Sequence, residues 1–199
     1  MKKVGLFGGT FNPPHLGHML FAQEAMLECE LDEIWFIPVN FPPHKKSEDL
    51  ASNKDRYDLL KACTKDNPRF SVLTIELERS GPSYTIDTVK YLQKKHPDIK
   101  FYFLIGGDMI DYLPKWERID ELVTLISFIG AKRPGFEEVP PGFKEHVHFI
   151  DMIQVDFSST LIRERIRAGK PVTYMVPEAV EKLMKERGLY ETGRSVGTR

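Results

Sequence analysis

An α/β fold built on a doubly wound parallel sheet, with helices on both faces and a helical C-terminal end, is what this sequence predicts. Three observations lead there. Short β-branched or aromatic runs alternate with longer amphipathic stretches, the signature of parallel strands joined by crossover helices. Most of the short runs are apolar throughout, as strands covered on both faces must be. Polar and glycine-rich residues collect just after the strands, where open parallel sheets hold their ligands.

The elements follow in order. Val4–Phe7 reads as the first strand, and Gly17–Leu27 as the helix that returns from it. Ile34–Ile37 is the second strand, followed by a helix over Lys54–Lys65. Phe70–Ile75 and Phe101–Ile105 are strands flanking a helix at Tyr84–Lys95, and Glu117–Leu125 is helical before the strand Phe128–Ala131. His146–Ile150 is the sixth strand. Two helices close the chain, Ser159–Arg167 and Pro177–Arg187, the latter with proline at its first position and Gly188 after its end. Residues 1–190 read as one domain and 191–199 as a flexible tail.

Composition bounds the function. A chain of 199 residues with 41% hydrophobic and 29% charged content fits one globular core. A formal net charge of -1 supplies no global basic field for a nucleic acid polymer, so phosphate binding has to be local. Cys29 and Cys63 have no metal-ligand or redox spacing and read as free thiols of a reduced cytoplasmic protein. The apolar start is too short for a signal sequence and no long apolar run follows, so no membrane association is expected. No heptad seam fixes an oligomeric state, and a homodimer stays open.

After the first strand comes Gly8-Gly9-Thr10-Phe11-Asn12-Pro13-Pro14-His15-Leu16-Gly17-His18. Glycines admit an anion close to backbone N–H groups, and a helix start adds positive partial charge where phosphate can rest. His15 and His18 flank Gly17 and can donate to phosphate oxygens. The glycines do not form G-x-G-x-x-G, which disfavours a hydride-transfer enzyme. Taken singly, the glycines could mark an ordinary tight turn, and each histidine a satisfied core residue. Zinc would need further ligands that neither cysteine supplies, so no metal ligand is assigned.

A second constellation lies late, at Phe157-Ser158-Ser159-Thr160-Leu161-Ile162-Arg163. Ser158 or Ser159 can cap a helix whose positive end is left facing a ligand, and Arg163 shares a helical face with Ser159 and Thr160. Alone this would be a capped amphipathic helix with solvated arginines. In one chain with the first motif, it becomes the second half of a polyphosphate grip.

The eleven-residue run resembles the G-G-T-F-[DN]-P-x-H-x-G-H signature of the nucleotidyltransferase superfamily with the H-x-G-H motif, with Asn12 where aspartate is commoner. Gly81-Pro82-Ser83-Tyr84-Thr85-Ile86-Asp87-Thr88, Ile105-Gly106-Gly107-Asp108, Leu113-Pro114-Lys115-Trp116 and Pro42-Pro43-His44-Lys45 are similar to stretches of bacterial nicotinate-mononucleotide adenylyltransferases. The similarity runs from Lys3 to Tyr190 and implies a Rossmann-like fold. The activity it implies is in-line transfer of the adenylyl group of ATP to nicotinate mononucleotide, giving deamido-NAD and pyrophosphate, with Mg²⁺ carried by the ATP.

By that resemblance, His15, His18 and Arg163 are catalytic. Gly8, Gly9, Thr10, Phe11, Gly106, Asp108, Arg133, Ser158 and Ser159 hold ATP. His44, Lys45, Thr85 and Trp116 hold the mononucleotide, with Trp116 stacked on the pyridine ring and amides at Thr85 and just after Trp116 receiving its carboxylate. Glu117 places a negative charge near that carboxylate. Nicotinamide mononucleotide or phosphopantetheine as acceptor, and a noncatalytic nucleotide-binding module, are the competing readings. Phe41–Asn53 and Pro134–Phe143, long and proline-containing, read as lids.

Overall fold

The computed structural model describes residues 1–40, 50–131, 140–153 and 155–191. Among them six strands, β1 (Lys2–Gly9), β2 (Glu33–Pro38), β3 (Phe70–Val72), β4 (Ile99–Ile105), β5 (Ser127–Ala131) and β6 (Val147–Ile150), form one sheet in the order β3-β2-β1-β4-β5-β6. Every pairing is parallel. The helices are α1 (Leu16–Glu28), α2 (Asn53–Thr64), α3 (Thr85–Lys95), α4 (Gly107–Ile110), α5 (Ile119–Leu125), α6 (Ser159–Arg167) and α7 (Glu178–Arg187).

Strand alternation sorts the core onto two faces. Val4 and Leu6 of β1, Trp35 and Ile37 of β2, and Phe101 and Phe103 of β4 meet α3 and α5 through Ile86, Val89, Leu92, Ile119 and Leu122. Their neighbours Phe7, Ile34, Phe36 and Leu104 face the other way and meet α1 through Phe21, Ala22, Ala25 and Met26. This is why the strands read as continuous apolar runs. A third cluster, with Leu59, Ile162, Val172, Val176, Val180 and Met184, packs α6 and α7 onto α2. Gly188 ends α7 in the left-handed conformation (φ 56°), the cap its position forecasts.

Three local differences from the sequence reading have physical causes. The third strand stops at Val72 instead of Ile75. The Leu73 amide still donates to the Phe36 carbonyl at 2.9 Å, but the next donor across the ladder would be Pro38, which has no N–H. The chain turns instead, with Glu78 N donating to Thr74 O at 3.1 Å. The helix expected from Glu117 begins at Ile119, because Trp116 is extended (φ -72°, ψ 143°) and Arg118 is left-handed (φ 50°). The short helix α4 and the 3-10 turn Leu113–Lys115 are too brief for periodicity to reveal.

The strand order reverses between β1 and β4, which leave the sheet in opposite lateral directions. The crevice beyond their carboxyl ends is where such a sheet opens to ligands. Gly8-Gly9 and Gly106 both lie there, since Phe7 pairs with Leu104 just before them.

Candidate functional site

At the end of β1 the chain makes a compact loop before α1. Phe11 adopts a left-handed conformation (φ 48°), and the Asn12–Pro13 peptide is cis. The Phe11 ring is buried against Phe7, Phe36 and the His18 imidazole, so anything this residue offers a ligand comes from its backbone. His15 is the N-cap of α1 and is buried, and the His15 and His18 rings lie 3.7 Å apart between centroids. The His15 amide donates to His18 Nδ1 at 3.1 Å. With Nδ1 accepting, a neutral His18 carries its proton on Nε2, the tautomer required of a donor to phosphate oxygen.

Gly17 explains the glycine within the H-x-G-H spacing. A Cβ there would lie 3.0 Å from His15 Nδ1 and 3.1 Å from His15 Cε1. Any larger residue would push on the buried imidazole.

Donors from three directions fix the loop. Arg163 of α6 reaches the Asn12 carbonyl through Nη1 at 2.9 Å, and Ser159 Oγ donates to the Pro13 carbonyl at 2.8 Å. Ser158 caps α6 by accepting from the Leu161 amide at 3.1 Å. Tyr190, just beyond α7, donates its hydroxyl to Asn12 Oδ1 at 2.8 Å, and the Ala51 amide donates to the same oxygen at 3.0 Å. From α2, Arg56 Nη1 donates to the Thr10 carbonyl at 3.0 Å. The C=O and N–H of a trans peptide point in opposite directions. Pulling the Thr10 carbonyl toward Arg56 therefore turns the Phe11 amide away from it.

The first and last motifs, nearly 150 residues apart in sequence, thus meet in direct hydrogen bonds. Asn12 serves as an acceptor, a task a neutral amide performs, so those two bonds require no charge there. Arg163 is buried, and its Nε meets no acceptor among the described residues. The guanidinium that holds the Asn12 carbonyl thus keeps one buried N–H without an acceptor among the described residues.

The opposite side of the crevice is formed by the start of α3 and the turn before α5. Thr85 is the first residue of α3, where amides lack intrahelical acceptors. Trp116 is half-buried and held edge-on by Phe103 (5.6 Å, 87°) and Phe128 (6.0 Å, 78°). Such contacts grip the ring by its edge geometry. Ile86, beside Thr85, and Trp116 pack on the same core cluster. Glu117 is exposed. Behind Thr85, Glu76 accepts from Thr88 Oγ1 at 2.7 Å, and burial raises its carboxyl pKa.

Gly106 caps the short α4 at the carboxyl end of β4. His44, Lys45 and Arg133 lie outside the described residues, as do the side chain of Asp108, most of both supposed lids and the tail from residue 192. Sequence reasoning missed Arg56, Asn53 and Tyr190. One signal was available, because Arg56 precedes Leu59 and Leu60 by three and four residues and so falls on the apolar face of its helix. Tyr190 gave none.

The groups gathered here are imidazole, guanidinium, hydroxyl and amide, a set suited to anions. Among the described residues, no three His, Cys, Asp or Glu side chains are arranged to hold a metal ion, and no helix is long and apolar enough to cross a membrane.

Comparison with known proteins gives a consistent result. Residues 6–165 match the cytidylyltransferase-like family. The nicotinate-nucleotide adenylyltransferase of Bacillus subtilis is 49% identical over 192 residues, covering 96% of this chain and all of the relative. A probable nicotinate-nucleotide adenylyltransferase of Halalkalibacterium halodurans is 52% identical over 196 residues, 98% of this chain and 94% of its own length. Among solved structures, Plasmodium falciparum nicotinic acid mononucleotide adenylyltransferase complexed with NaAD has a TM-score of 0.79 at 20% identity, covering 96% of this chain and 98% of that one. At that identity the likeness speaks for the fold.

Proposed function

Since the chain belongs to the cytidylyltransferase-like family, and matches nicotinate-nucleotide adenylyltransferases at about half identity from end to end, we propose that it transfers the adenylyl group of ATP to nicotinate mononucleotide. The products are deamido-NAD and pyrophosphate, and the reaction belongs to NAD biosynthesis. The observation that carries the reading is the meeting of Ser159 and Arg163 with the Asn12–Pro13 backbone beside the paired His15 and His18 rings.

An ionised phosphate oxygen of the mononucleotide attacks the α-phosphorus. The bond from that phosphorus to the oxygen bridging to the β-phosphorus breaks, and pyrophosphate departs with the electron pair. The nucleophile is already deprotonated at neutral pH, so the chain needs no general base. Its task is to align the two phosphates and stabilise charge on the transferring and leaving groups.

In this reading His15, His18 and Arg163 donate to the phosphates, with amides of Gly8, Gly9, Thr10 and Phe11 and the Ser158–Ser159 helix start around them. Gly106, Asp108 and Arg133 border the adenosine. Trp116 stacks on the pyridine ring, the Thr85 amide receives its carboxylate, and His44 and Lys45 hold the mononucleotide phosphate. Mg²⁺ carried by the ATP would supply partial neutralisation of the triphosphate charge, and the imidazole, guanidinium and amide donors of His15, His18, Arg163 and the Gly8–Phe11 loop would complement what remains. The enzyme acts as one domain in the cytoplasm.

Pyrophosphate release with ATP and each of nicotinate mononucleotide, nicotinamide mononucleotide and phosphopantetheine tests this. The nicotinate form should give the highest kcat/KM. A preference for either other acceptor would overturn the substrate assignment, and no release with any of them would overturn the reaction itself.

A further inference from the structure

Arg56 is fully buried, yet no carboxylate among the described residues bonds it. Its acceptors are three main-chain carbonyls and one amide oxygen. Nη1 holds Thr10 O at 3.0 Å, Nη2 holds Asn40 O at 3.2 Å and Asn53 Oδ1 at 2.6 Å, and Nε holds Ala51 O at 3.3 Å. Asn40 and Ala51 stand at the two ends of the connection between β2 and α2. One guanidinium therefore ties the loop after β1 to both ends of that connection.

The bonding continues beyond it. Asn53 Nδ2 donates to Asn40 Oδ1 at 2.5 Å, and Asn40 Nδ2 donates to Arg79 O at 2.9 Å. The Arg79 side chain in turn donates to Thr88 Oγ1 of α3 at 2.9 Å. An unbroken chain of hydrogen bonds thus runs from Thr10, at the phosphate loop, to the segment that enters α3 at Thr85. Each Asn uses its oxygen toward the Arg56 side and its amide toward the Arg79 side, so the chain has a defined polarity.

We propose that Arg56, backed by Asn53 and Asn40, is a positioning residue that sets the separation between the phosphate loop and the acceptor-binding segment. The inference rests on the adenylyl-transfer reading, in which ATP lies on the first and the mononucleotide on the second. In-line attack requires two phosphates to be held at near-contact distance, and errors of about 1 Å in such geometry cost on the order of 10²-fold in rate. A planar fork reaching several carbonyls at once suits this role, and a lysine cannot reproduce it. Burial lowers the Arg56 pKa to about 10, which leaves it charged at neutral pH beneath a loop that receives polyanions. The anionic substrates then bring countercharge to a guanidinium that no carboxylate among the described residues bonds.

The test compares Arg56→Lys and Asn53→Ala with the unaltered enzyme, measuring kcat, KM for ATP and for nicotinate mononucleotide, and thermal unfolding. Arg56→Lys should lower kcat by about 10²-fold and Asn53→Ala by about 10-fold, both at saturating substrates, with each KM changed by less than about threefold. Asn53 is half-buried and lies in the first turn of α2, so its alanine variant decides the matter if the Arg56 variant does not fold. A purely structural role would lower the unfolding temperature and leave kcat per folded molecule unchanged, and that result would overturn the inference. A loss confined to one KM would overturn it as well. If the unaltered enzyme releases no pyrophosphate, the adenylyl-transfer reading itself has failed, and this inference falls with it.

Discussion

Replacing Gly17 with alanine separates stability from activity. Within an ordinary helix this change adds up to about 1 kcal/mol of stability through backbone entropy. Here the new methyl would sit 3.0 Å from His15 Nδ1, 3.1 Å from His15 Cε1 and 3.4 Å from Val155 Cγ2. The imidazole must retreat by a few tenths of an ångström, yet it is only 6% exposed and already lies 3.7 Å from the His18 ring. Forcing it off its rotamer costs about 0.5–1.5 kcal/mol, which cancels the helix gain. The unfolding temperature should therefore stay within about 2–4 °C of the parent, the span of roughly 1 kcal/mol in a chain of this size. Turnover should nevertheless fall about 10–10²-fold, because the displaced His15 is a proposed donor to the reacting phosphates. Calorimetry and pyrophosphate release at saturating substrates measure the two effects on one sample. A variant that is about 1 kcal/mol more stable with unchanged turnover would show that His15 needs no fixed position, and the account of the motif would be wrong.

Three further outcomes are expected. His18→Ala should lose about 10²–10³-fold in kcat, the usual cost of one preorganised donor, and full activity in pyrophosphate release would remove His18 from the mechanism. Tyr190→Phe should lower stability by about 1 kcal/mol by deleting the hydrogen bond to Asn12 Oδ1, and an unaltered melting curve would deny that the bond matters. Stability should also decline between about pH 9 and 10. Burial pushes the Cys63 thiol up to about 12 and raises the Tyr190 phenol, so the folded state keeps protons that the unfolded chain begins to release. A raised folded pKa means stability present below the unfolded value and lost as pH climbs. Above that window Arg56, lowered to about 10, works in the opposite sense. Cys63→Ser should flatten the decline in unfolding free energy followed from pH 8 to 10, and an identical slope would exclude the thiol.

The sequence by itself determined the alternation of strands and helices and singled out the two motifs proposed to bind phosphate, because these depend on residues close together in the chain. A strand buried on both faces must be apolar at successive positions, as Phe101–Ile105 is, and a helix start must supply a cap, as Ser158 does. The spacing of His15, Gly17 and His18 is likewise local, since one turn of helix brings their rings and backbone together. Tertiary structure alone decided which distant groups grip the loop. The Arg163, Ser159 and Tyr190 bonds to Asn12 and Pro13 span between 146 and 178 residues. No local periodicity encodes such pairings.

Arg56 shows the limit most plainly. A helix pattern can place an arginine on an apolar face, but it cannot reveal the three carbonyls waiting there, because those acceptors are backbone groups that every residue carries. Pro38 shows the same limit in the sheet. Its missing N–H matters only once β2 lies beside β3, where it stops the ladder and turns the chain toward Thr85. Side-chain pattern fixes the elements, whereas the disposition of backbone donors and acceptors, visible only after folding, fixes the site.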